Sequence, residues 1–289
     1  MPAVPLALRT GARLVLLSAQ WSATDLGTTR TYLEGRRAAL FDLGFDGPCG
    51  IEAVLERDAA TAISVAASAP GTLVCMATHG HGGVIRGVLG SVAEAVVRAG
   101  DAPVLLVGPS LDPKWRLPEP PTSPEIVLAL DGSSTAREAI PVAISLARAL
   151  GATVRVVHVP HPEDERDGDL PQVVATFAGE GVDATFERVD GFDPAVAIAE
   201  VAVAHRTAFV IAATHGRTGL ARVTLGSVVQ RMVRRAACPV FVVRPVVLTA
   251  TGSDAEVGGA GATGEEATHA RRGWRRDRGR SQPSRSATP

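Results

Sequence analysis

The chain has 289 residues, of which 46% are hydrophobic and 20% are charged, and its formal net charge at pH 7 is −1. This length provides for about two domains of ~100–200 residues each. A net charge near zero argues against nucleic acid or an anionic membrane as the main partner of the folded part. No uninterrupted apolar stretch reaches the ~18 residues of a membrane helix, and no signal-peptide pattern opens the chain, so we expect a cytoplasmic protein.

The first module, residues 1–109, is short at its start. GARLVLLSA at 11–19 matches GATVRVVHV at 151–159, which is predicted to be the second strand of a later module at 125–245. In that module a whole strand and helix come before this strand, whereas in the first module only ten residues do. We therefore expect this module to lack its opening strand and helix. Either it is a decayed half-domain stabilised by its neighbour, or the true start lies upstream of Met1; we favour the second explanation.

One passage occurs twice, at residues 77–109 and 213–245, with 16 of 33 positions identical and no gap. A repeat this long indicates a duplicated domain. Each copy reads as a strand, Thr-His-Gly, nine residues, Gly-Ser, an apolar helix and a closing strand behind a proline. Such a loop presents unpaired backbone N–H groups at the positive end of a helix dipole, so each copy predicts an anion site.

Two segments without periodic pattern flank the second module. Residues 110–124 are proline-rich and predict a stiff, extended linker. Residues 246–289 are rich in Gly, Ala, Thr, Ser and Arg, which predicts a disordered tail. The basic block RRGWRRDRGR at 271–280 could contact nucleic acid or acidic lipid, but we favour a solvated tail without a specific nucleic-acid role.

The second module, residues 125–245, alternates strands and helices. The apolar run at 126–130 is typical of a parallel strand covered on both faces. Asp131-Gly-Ser-Ser interrupts this run, and Thr135 with Glu138 has the spacing of a capping box before a helix that ends at Gly151. The later strands are predicted at 154–159, 184–189, 209–213 and 240–243, and the later helices at 170–179, 194–204 and 226–237. This alternation predicts a doubly wound parallel α/β sheet.

Three motifs together resemble the universal stress protein family, and more narrowly its tandem-domain members. They are DGS after the first strand, HV at the end of the second, and ATHG-x9-GS after the fourth. The resemblance covers 125–245 in full and 11–109 without the opening unit. It implies a five-stranded parallel sheet of order 3-2-1-4-5 in each module and ATP, accompanied by Mg²⁺, at the carboxyl ends of strands 1 and 4. Open α/β sheets leave their ligand crevice where the strand order reverses, which is that place.

The resemblance also implies a role for individual residues of the second module. Asp131 corresponds to the aspartate beside adenine and ribose, and Val159 to the residue whose backbone meets the adenine edge. Gly216 would lie by the phosphates, and Gly226, Ser227 and Val228 would present N–H groups to them. From the residues themselves, Arg217 and Arg222 in the nine-residue loop could neutralise phosphate charge. Each has a plainer explanation as a turn, a helix cap or a solvated charge. Ala213 departs from the family pattern, which commonly has glycine there, and its Cβ could crowd the ligand.

The sequence favours binding over turnover. His79 and His215 recur in the repeated motif, but they lack the further ligands of a metal site and are interpreted as loop-packing residues. The loops contain no Walker lysine, no GxSxG elbow and no paired carboxylates, so we assign no catalytic residue. Cys49, Cys75 and Cys238 lack CxxC spacing and are interpreted as reduced thiols. Two alternatives stay open: a nucleotide-free, dimerising scaffold of the same fold, and a weak ATP hydrolase.

The closing strands at 104–107 and 240–243 are apolar and are expected at sheet edges. Unpaired edges are an aggregation liability, and members of the family that the chain resembles commonly dimerise through this strand. We therefore expect the two modules to pair with each other here, with a homodimer as a further arrangement.

Overall fold

The computed structural model describes residues 2–78, 89–160, 169–214 and 225–244. Its helices are α1 (Ala3–Thr10), α2 (Leu26–Asp42), α3 (Ala59–Ala66), α4 (Ser91–Ala99), α5 (Ser134–Arg137), α6 (Ile140–Leu150), α7 (Leu170–Gly179), α8 (Pro194–Ala204) and α9 (Ser227–Arg235). Its strands are β1 (Leu14–Gln20), β2 (Cys49–Leu55), β3 (Val74–Ala77), β4 (Val104–Val107), β5 (Glu125–Ala129), β6 (Thr153–His158), β7 (Ala184–Arg188), β8 (Phe209–Ala213) and β9 (Val240–Val243). The tail at 246–289, for which the sequence predicts disorder, lies outside the described residues. None of the helices in the described part of the chain is long and apolar enough to cross a membrane.

The second module forms a parallel sheet in the order β9-β8-β5-β6-β7. Val127 in the central strand pairs with Arg155 of β6 on one side and with Val210 of β8 on the other. Numbered within the module, the order is 3-2-1-4-5, which confirms the predicted α/β fold for this part of the chain.

Helices cover both faces of this sheet, as the continuous apolar run of β5 predicts. Val127 belongs to an apolar cluster that includes Ile198 of α8 and Met232 of α9. Leu128, the next residue, belongs to a second cluster that includes Phe177 of α7. Successive residues of a strand point to opposite faces, so one strand joins both clusters. The central strand is therefore fixed in position by burial on two sides.

Two strands of the first module, β3 and β4, extend the sheet of the second module into one mixed sheet. β4 pairs antiparallel with β9, with Leu105 opposite Phe241, so the strand order is β3-β4-β9-β8-β5-β6-β7. These are the two closing strands that the sequence predicts to meet. Just beyond β4, Gly108 lies so close to α9 that a Cβ on it would stand 1.8 Å from the carbonyl oxygen of Val233.

The first module does not form a second five-stranded sheet. β1 and β2 pair in parallel as a sheet of their own, while β3 and β4 belong to the seven-stranded sheet. The strand equivalent to β5 is absent from the described residues of this module, as the sequence predicts, and its absence separates the two pairs. The expectation of two five-stranded sheets is therefore wrong for the first module.

The opening helix of the first module is present in part, which corrects the sequence prediction that it is missing. The amide of Ala12 donates to the carbonyl oxygen of Ala7 at 3.0 Å, and Ala152 makes the equivalent bond with Ala147 at 2.9 Å. The intervening C-caps, Gly11 and Gly151, both have positive φ, at +66° and +61°. Helix α1 is therefore the counterpart of the last two turns of α6. The sequence did not reveal this helix because no strand or capping motif precedes it.

Helix α1 is held by the linker and by the second module. The guanidinium of Arg9 donates to the carbonyl oxygens of Pro118, at 2.8 Å, and Leu150, at 2.7 Å. The linker itself packs on the sheet, since the indole N–H of Trp115 donates to the carbonyl oxygen of Ala208 at 2.9 Å.

Candidate functional site

The candidate site lies at the carboxyl ends of β5 and β8, where the strand order of the second module reverses. β5 pairs with β6 on one side and with β8 on the other, so the connections that leave β5 and β8 diverge. Such divergence opens a crevice at this edge of a parallel sheet.

Asp131 follows β5 and is held in a tight turn. Its Oδ1 accepts from the backbone N–H of Ser133 at 3.0 Å and from the Ser133 hydroxyl at 2.6 Å. Gly132 between them has a φ of +85°, a conformation that favours glycine. These contacts fix the orientation of a half-buried carboxylate at the mouth of the crevice.

The helix start after this turn differs from the sequence prediction. Ser133, and not Thr135, is the N-cap of α5, and its hydroxyl oxygen accepts from the backbone N–H of Ala136 at 3.1 Å. The capping box expected between Thr135 and Glu138 is therefore wrong. The turn part of the plainer explanation of Asp131 is thus observed, and Ser133 organises both this turn and the start of α5.

The end of β6 supplies a buried histidine that the sequence did not single out. His158 is 1% exposed, and its Nδ1 lies 2.8 Å from the carbonyl oxygen of Leu130. This contact joins the ends of β5 and β6 directly before the Asp131 turn. The His-Val pair was noted as a motif, but a role was assigned only to the next residue.

Val159 lies at the end of β6 with 8% of its surface exposed. Gly191, in the connection after β7, packs near it: a Cβ on Gly191 would stand 3.1 Å from Cβ of Ala197 and 3.9 Å from Cγ1 of Val159. The side chain of Val159 is therefore fixed by packing.

The end of β8 is tied to the start of α9. Thr214, which is 2% exposed, donates its N–H to the carbonyl oxygen of Val243 at 2.8 Å, and its own carbonyl oxygen accepts from the amide of Gly226 at 2.9 Å. A Cβ on Gly226 would stand 3.0 Å from that same oxygen of Thr214. Glycine therefore allows the helix to begin directly against the strand end.

Helix α9 begins without a side-chain cap. Its N-cap is Gly226, and the first turn contains Ser227, which is exposed, and Val228, which is half-buried. The first N–H groups of a helix have no intrahelical acceptor, and the dipole places partial positive charge there. This helix start can therefore hold an anion.

Ala213 does not have the backbone conformation that would make its Cβ a problem. It is the last residue of β8, pairs with Val243, and is not among the described residues with positive φ. Gly216, Arg217 and Arg222, like His79 and His215, lie outside the described residues.

The first module repeats one half of the site. The amide of Gly90 donates to the carbonyl oxygen of Thr78 at 2.8 Å, and helix α4 starts at Ser91. No strand equivalent to β5, and so no Asp131 turn, accompanies it among the described residues. Within the same part of the chain, no group of three or more His, Cys, Asp or Glu side chains could hold a metal ion.

Comparison with known proteins shows which family model the chain matches and which relatives it is similar to. The family model described as "Universal stress protein family" matches residues 3–108, 124–176 and 170–244. A universal stress protein of Mycobacterium tuberculosis is 28% identical over 187 residues, which are 60% of this chain and 61% of that protein. The match thus spans about three fifths of the length of this relative. A universal stress protein of Methanocaldococcus jannaschii is 30% identical over 139 residues, covering 42% of this chain and 81% of that protein.

The fold is similar to that of a solved universal stress protein from Archaeoglobus fulgidus. The two structures match with a TM-score of 0.61 at 18% sequence identity, over 84% of this chain and 92% of that one. At this identity the similarity supports the architecture and not the ligand.

Proposed function

The chain belongs to the universal stress protein family, and on this premise we propose that its second module binds an adenine nucleotide, ATP accompanied by Mg²⁺. The observation that carries the proposal is the meeting of two groups at one crevice. The Asp131 turn stands at the end of β5, and the uncapped start of α9 stands at the end of β8.

The two groups suit the two ends of a nucleotide. An ionised carboxylate accepts hydrogen bonds, so Asp131 suits the ribose hydroxyls or the adenine amino group. The amides of Ser227 and Val228 suit the phosphates, because they lie at the positive end of the α9 dipole. Gly226 allows α9 to begin directly against Thr214, because a Cβ on it would stand 3.0 Å from the Thr214 carbonyl oxygen. Its own amide donates to that oxygen, so it is the amides of Ser227 and Val228 that we assign to the phosphates. Val159 would present its backbone to the adenine edge, while Gly216 and Arg217 are proposed phosphate contacts from the loop.

Within the described residues, the second module combines both groups and the first does not. The first has the helix start at Ser91 but no Asp131 counterpart in its described part, so it could hold phosphate without recognising the nucleoside. We therefore propose one nucleotide for each chain.

The proposed output is the binding state rather than a chemical reaction. The antiparallel pairing of β4 with β9 supports the further proposal that the two modules associate within a single chain, in place of a dimer contact. The cytoplasm is the proposed location. A homodimer and weak ATP hydrolysis remain the alternatives to be measured.

The test is nucleotide binding by matched variants. Protein purified without added nucleotide is denatured, and the supernatant is analysed by mass spectrometry; calorimetry then measures affinity for ATP, AMP and GTP with and without Mg²⁺. Ser227→Asp places a carboxylate at the proposed phosphate site, and Ser91→Asp places one at the equivalent position of the first module.

We expect Ser227→Asp to weaken ATP binding by at least about 10-fold, which corresponds to ~1.4 kcal/mol, and Ser91→Asp to leave it unchanged. Equal effects of the two substitutions would contradict the choice of module. If the protein carries no nucleotide and calorimetry detects no binding, the scaffold alternative replaces the proposal. Steady-state phosphate release above that of Ser227→Asp would instead indicate a hydrolase.

A further inference from the structure

The loop from β7 to α8, residues 189–193, lies beside the residue proposed to meet the adenine edge. The backbone pairing of β6 with β7 continues past the end of β7, because the amide of Val189 donates to the carbonyl oxygen of His158 at 2.9 Å. Val159 directly follows His158, so the β7–α8 loop leaves the sheet next to Val159. Neighbouring strands lie ~4.8 Å apart, which one side chain can span.

The backbone of the β7–α8 loop is held on both sides of Phe192. Before it, a Cβ on Gly191 would stand 3.9 Å from Cγ1 of Val159, so the loop lies within van der Waals range of the end of β6. After it, Asp193 is the N-cap of α8, and its Oδ1 accepts from the amide of Ala195 at 3.0 Å. These contacts fix where the Phe192 side chain leaves the backbone.

The same loop is joined to the helix that begins at the proposed phosphate site. Arg231 lies in α9, about one turn after Ser227. Its Nη2 is 3.3 Å from Oδ1 of Asp193, and the two side chains are 35% and 34% exposed, so the ion pair is partly shielded from water. Helix α9 thus has the proposed phosphate contacts at its start and holds the β7–α8 loop one turn later.

Phe192 itself is fully exposed. Its relative exposure of 105% is the highest of the large apolar side chains in the described part of the chain. A single apolar side chain at the surface is common and indicates no function by itself. Phe192 differs in its position, because its backbone is held beside Val159 while its ring is free to turn. The ring can therefore cover a planar group that meets the backbone of Val159.

The first module has a charged residue at the equivalent place. Asp58 is the N-cap of α3, as Asp193 is of α8, and its carboxylate accepts from the amides of Ala60 and Thr61. The residue before each cap is Arg57 in the first module and Phe192 in the second. The apolar ring is thus present in the module that we propose to bind the nucleotide, and Arg57 provides a matched position for a control.

We propose that Phe192 stacks on the base of the bound nucleotide and so sets the affinity of the site for the base. This assignment rests on the proposed nucleotide binding by the second module, and it adds the contact that recognises the base as a planar aromatic group. Stacking of an aromatic side chain is favourable with every base, because each has a π face. Phe192 therefore selects nucleotides over phosphate compounds without a base, while the choice among bases stays with Asp131 and the backbone of Val159.

The test separates the base from the phosphates. Calorimetry measures the affinity of the full chain for ATP and for inorganic tripolyphosphate, which has the linked phosphates without a nucleoside. Phe192→Ala removes the ring, Phe192→Leu keeps an apolar side chain without a π face, and Phe192→Tyr keeps the ring. Arg57→Ala is the control in the first module. Proton NMR of bound ATP gives a second measurement, because a ring stacked on adenine moves the adenine H2 and H8 signals upfield.

We expect Phe192→Ala to weaken ATP binding by about 10-fold, as for the loss of base stacking, and to leave tripolyphosphate binding unchanged. Phe192→Tyr should retain the ATP affinity of the parent chain and the upfield signals. Phe192→Leu should lose most of both, and Arg57→Ala should change neither affinity. All four variants should keep the melting temperature of the parent chain, because both side chains are exposed.

The outcomes distinguish this assignment from the proposed function. ATP binding by Phe192→Ala with the affinity of the parent chain, or equal H2 and H8 shifts with Phe192→Leu and the parent chain, would overturn the role of Phe192 alone. Equal losses of ATP and tripolyphosphate affinity would also overturn it, since the residue would then act on the phosphate end. Absence of ATP binding by the parent chain would overturn the proposed function itself, and the stacking role with it.

Discussion

The backbone N–H of Gly226 donates to the carbonyl oxygen of Thr214 at 2.9 Å, and so holds the start of α9 against the end of β8. Gly90 and Thr78 make the same bond in the first module at 2.8 Å. The repeated Thr and Gly of the sequence therefore serve one structural purpose in both modules. In the second module this contact also sets where the helix dipole points.

Gly226→Ala tests this close approach. The added Cβ would stand 3.0 Å from the Thr214 oxygen, so the helix start must shift by a few tenths of an ångström. We expect a loss of about 1 kcal/mol in the free energy of unfolding, at the low end for overpacking, and weaker ATP binding. Urea denaturation and calorimetry measure the two effects. Gly179→Ala is the control, because its Cβ would meet nothing within 4 Å; a comparable loss there would remove the steric explanation.

Gly108→Ala should disturb the packing of the two modules. A Cβ at this position would stand 1.8 Å from the carbonyl oxygen of Val233 in α9. No rotamer change can relieve this clash, because the backbone fixes the positions of both atoms. We expect the free energy of unfolding to fall by ~1–3 kcal/mol or more. Gly35→Ala in α2, where nothing lies within 4 Å, should be neutral or stabilising by up to ~1 kcal/mol. Equal urea midpoints for the two variants would contradict the close contact.

The features that the sequence predicted are those that local patterns encode. The unbroken apolar run at 126–130 indicated a strand buried on both faces, and Asp131 at its end indicated a turn. The strand order came from the resemblance rather than from periodicity. Contacts between distant residues were missed, among them the His158–Leu130 contact and the pairing of Gly226 with Thr214. No local signal marks them, because each depends on which strand ends meet in the folded sheet.

The split of the first module is a second feature that the sequence could indicate only in part. The short start predicted a missing central strand, but not that β1 and β2 would form a separate sheet. Helix α1 escaped notice because no strand or capping motif precedes it and because its stabilising contacts, from Arg9 to Pro118 and Leu150, lie in the linker and in the other module.

Asp131→Ala should affect ATP binding more than stability. The substitution removes an acceptor of two hydrogen bonds from Ser133, for a stability loss of about 1 kcal/mol, and it removes the proposed nucleoside contact. We expect ATP affinity to fall by about 10-fold, or ~1.4 kcal/mol. Ser133→Ala is the matched control, since it disrupts the same turn and the α5 cap but keeps the carboxylate. If both variants lose the same ATP affinity in calorimetry, Asp131 acts through the turn alone.

The three cysteines should differ in reactivity, in an order set by burial. Burial raises the pKa of the Cys238 thiol to about 12 and that of Cys75 to about 11, and it raises the pKa of Cys49 as well. Because the thiolate is the nucleophile, a pKa near 11 leaves on the order of 0.1% reactive thiol at pH 8. Mass spectrometry after iodoacetamide treatment should show Cys49 alkylated first and Cys238 last, and all three should react alike in urea.

The same shifts predict how stability depends on pH. The folded-state pKa of Cys238 lies above the unfolded value of ~8.5, so the neutral thiol is preferred in the fold. The resulting stabilisation is fully present below about pH 8.5 and is lost as the pH rises toward 12. Cys238→Ala removes this titration, so the free energy of unfolding should fall less steeply above pH 9 in the variant than in the parent chain. Parallel pH profiles for the two proteins, or alkylation of native Cys238 as fast as in urea, would show that this thiol is not buried as the structure describes.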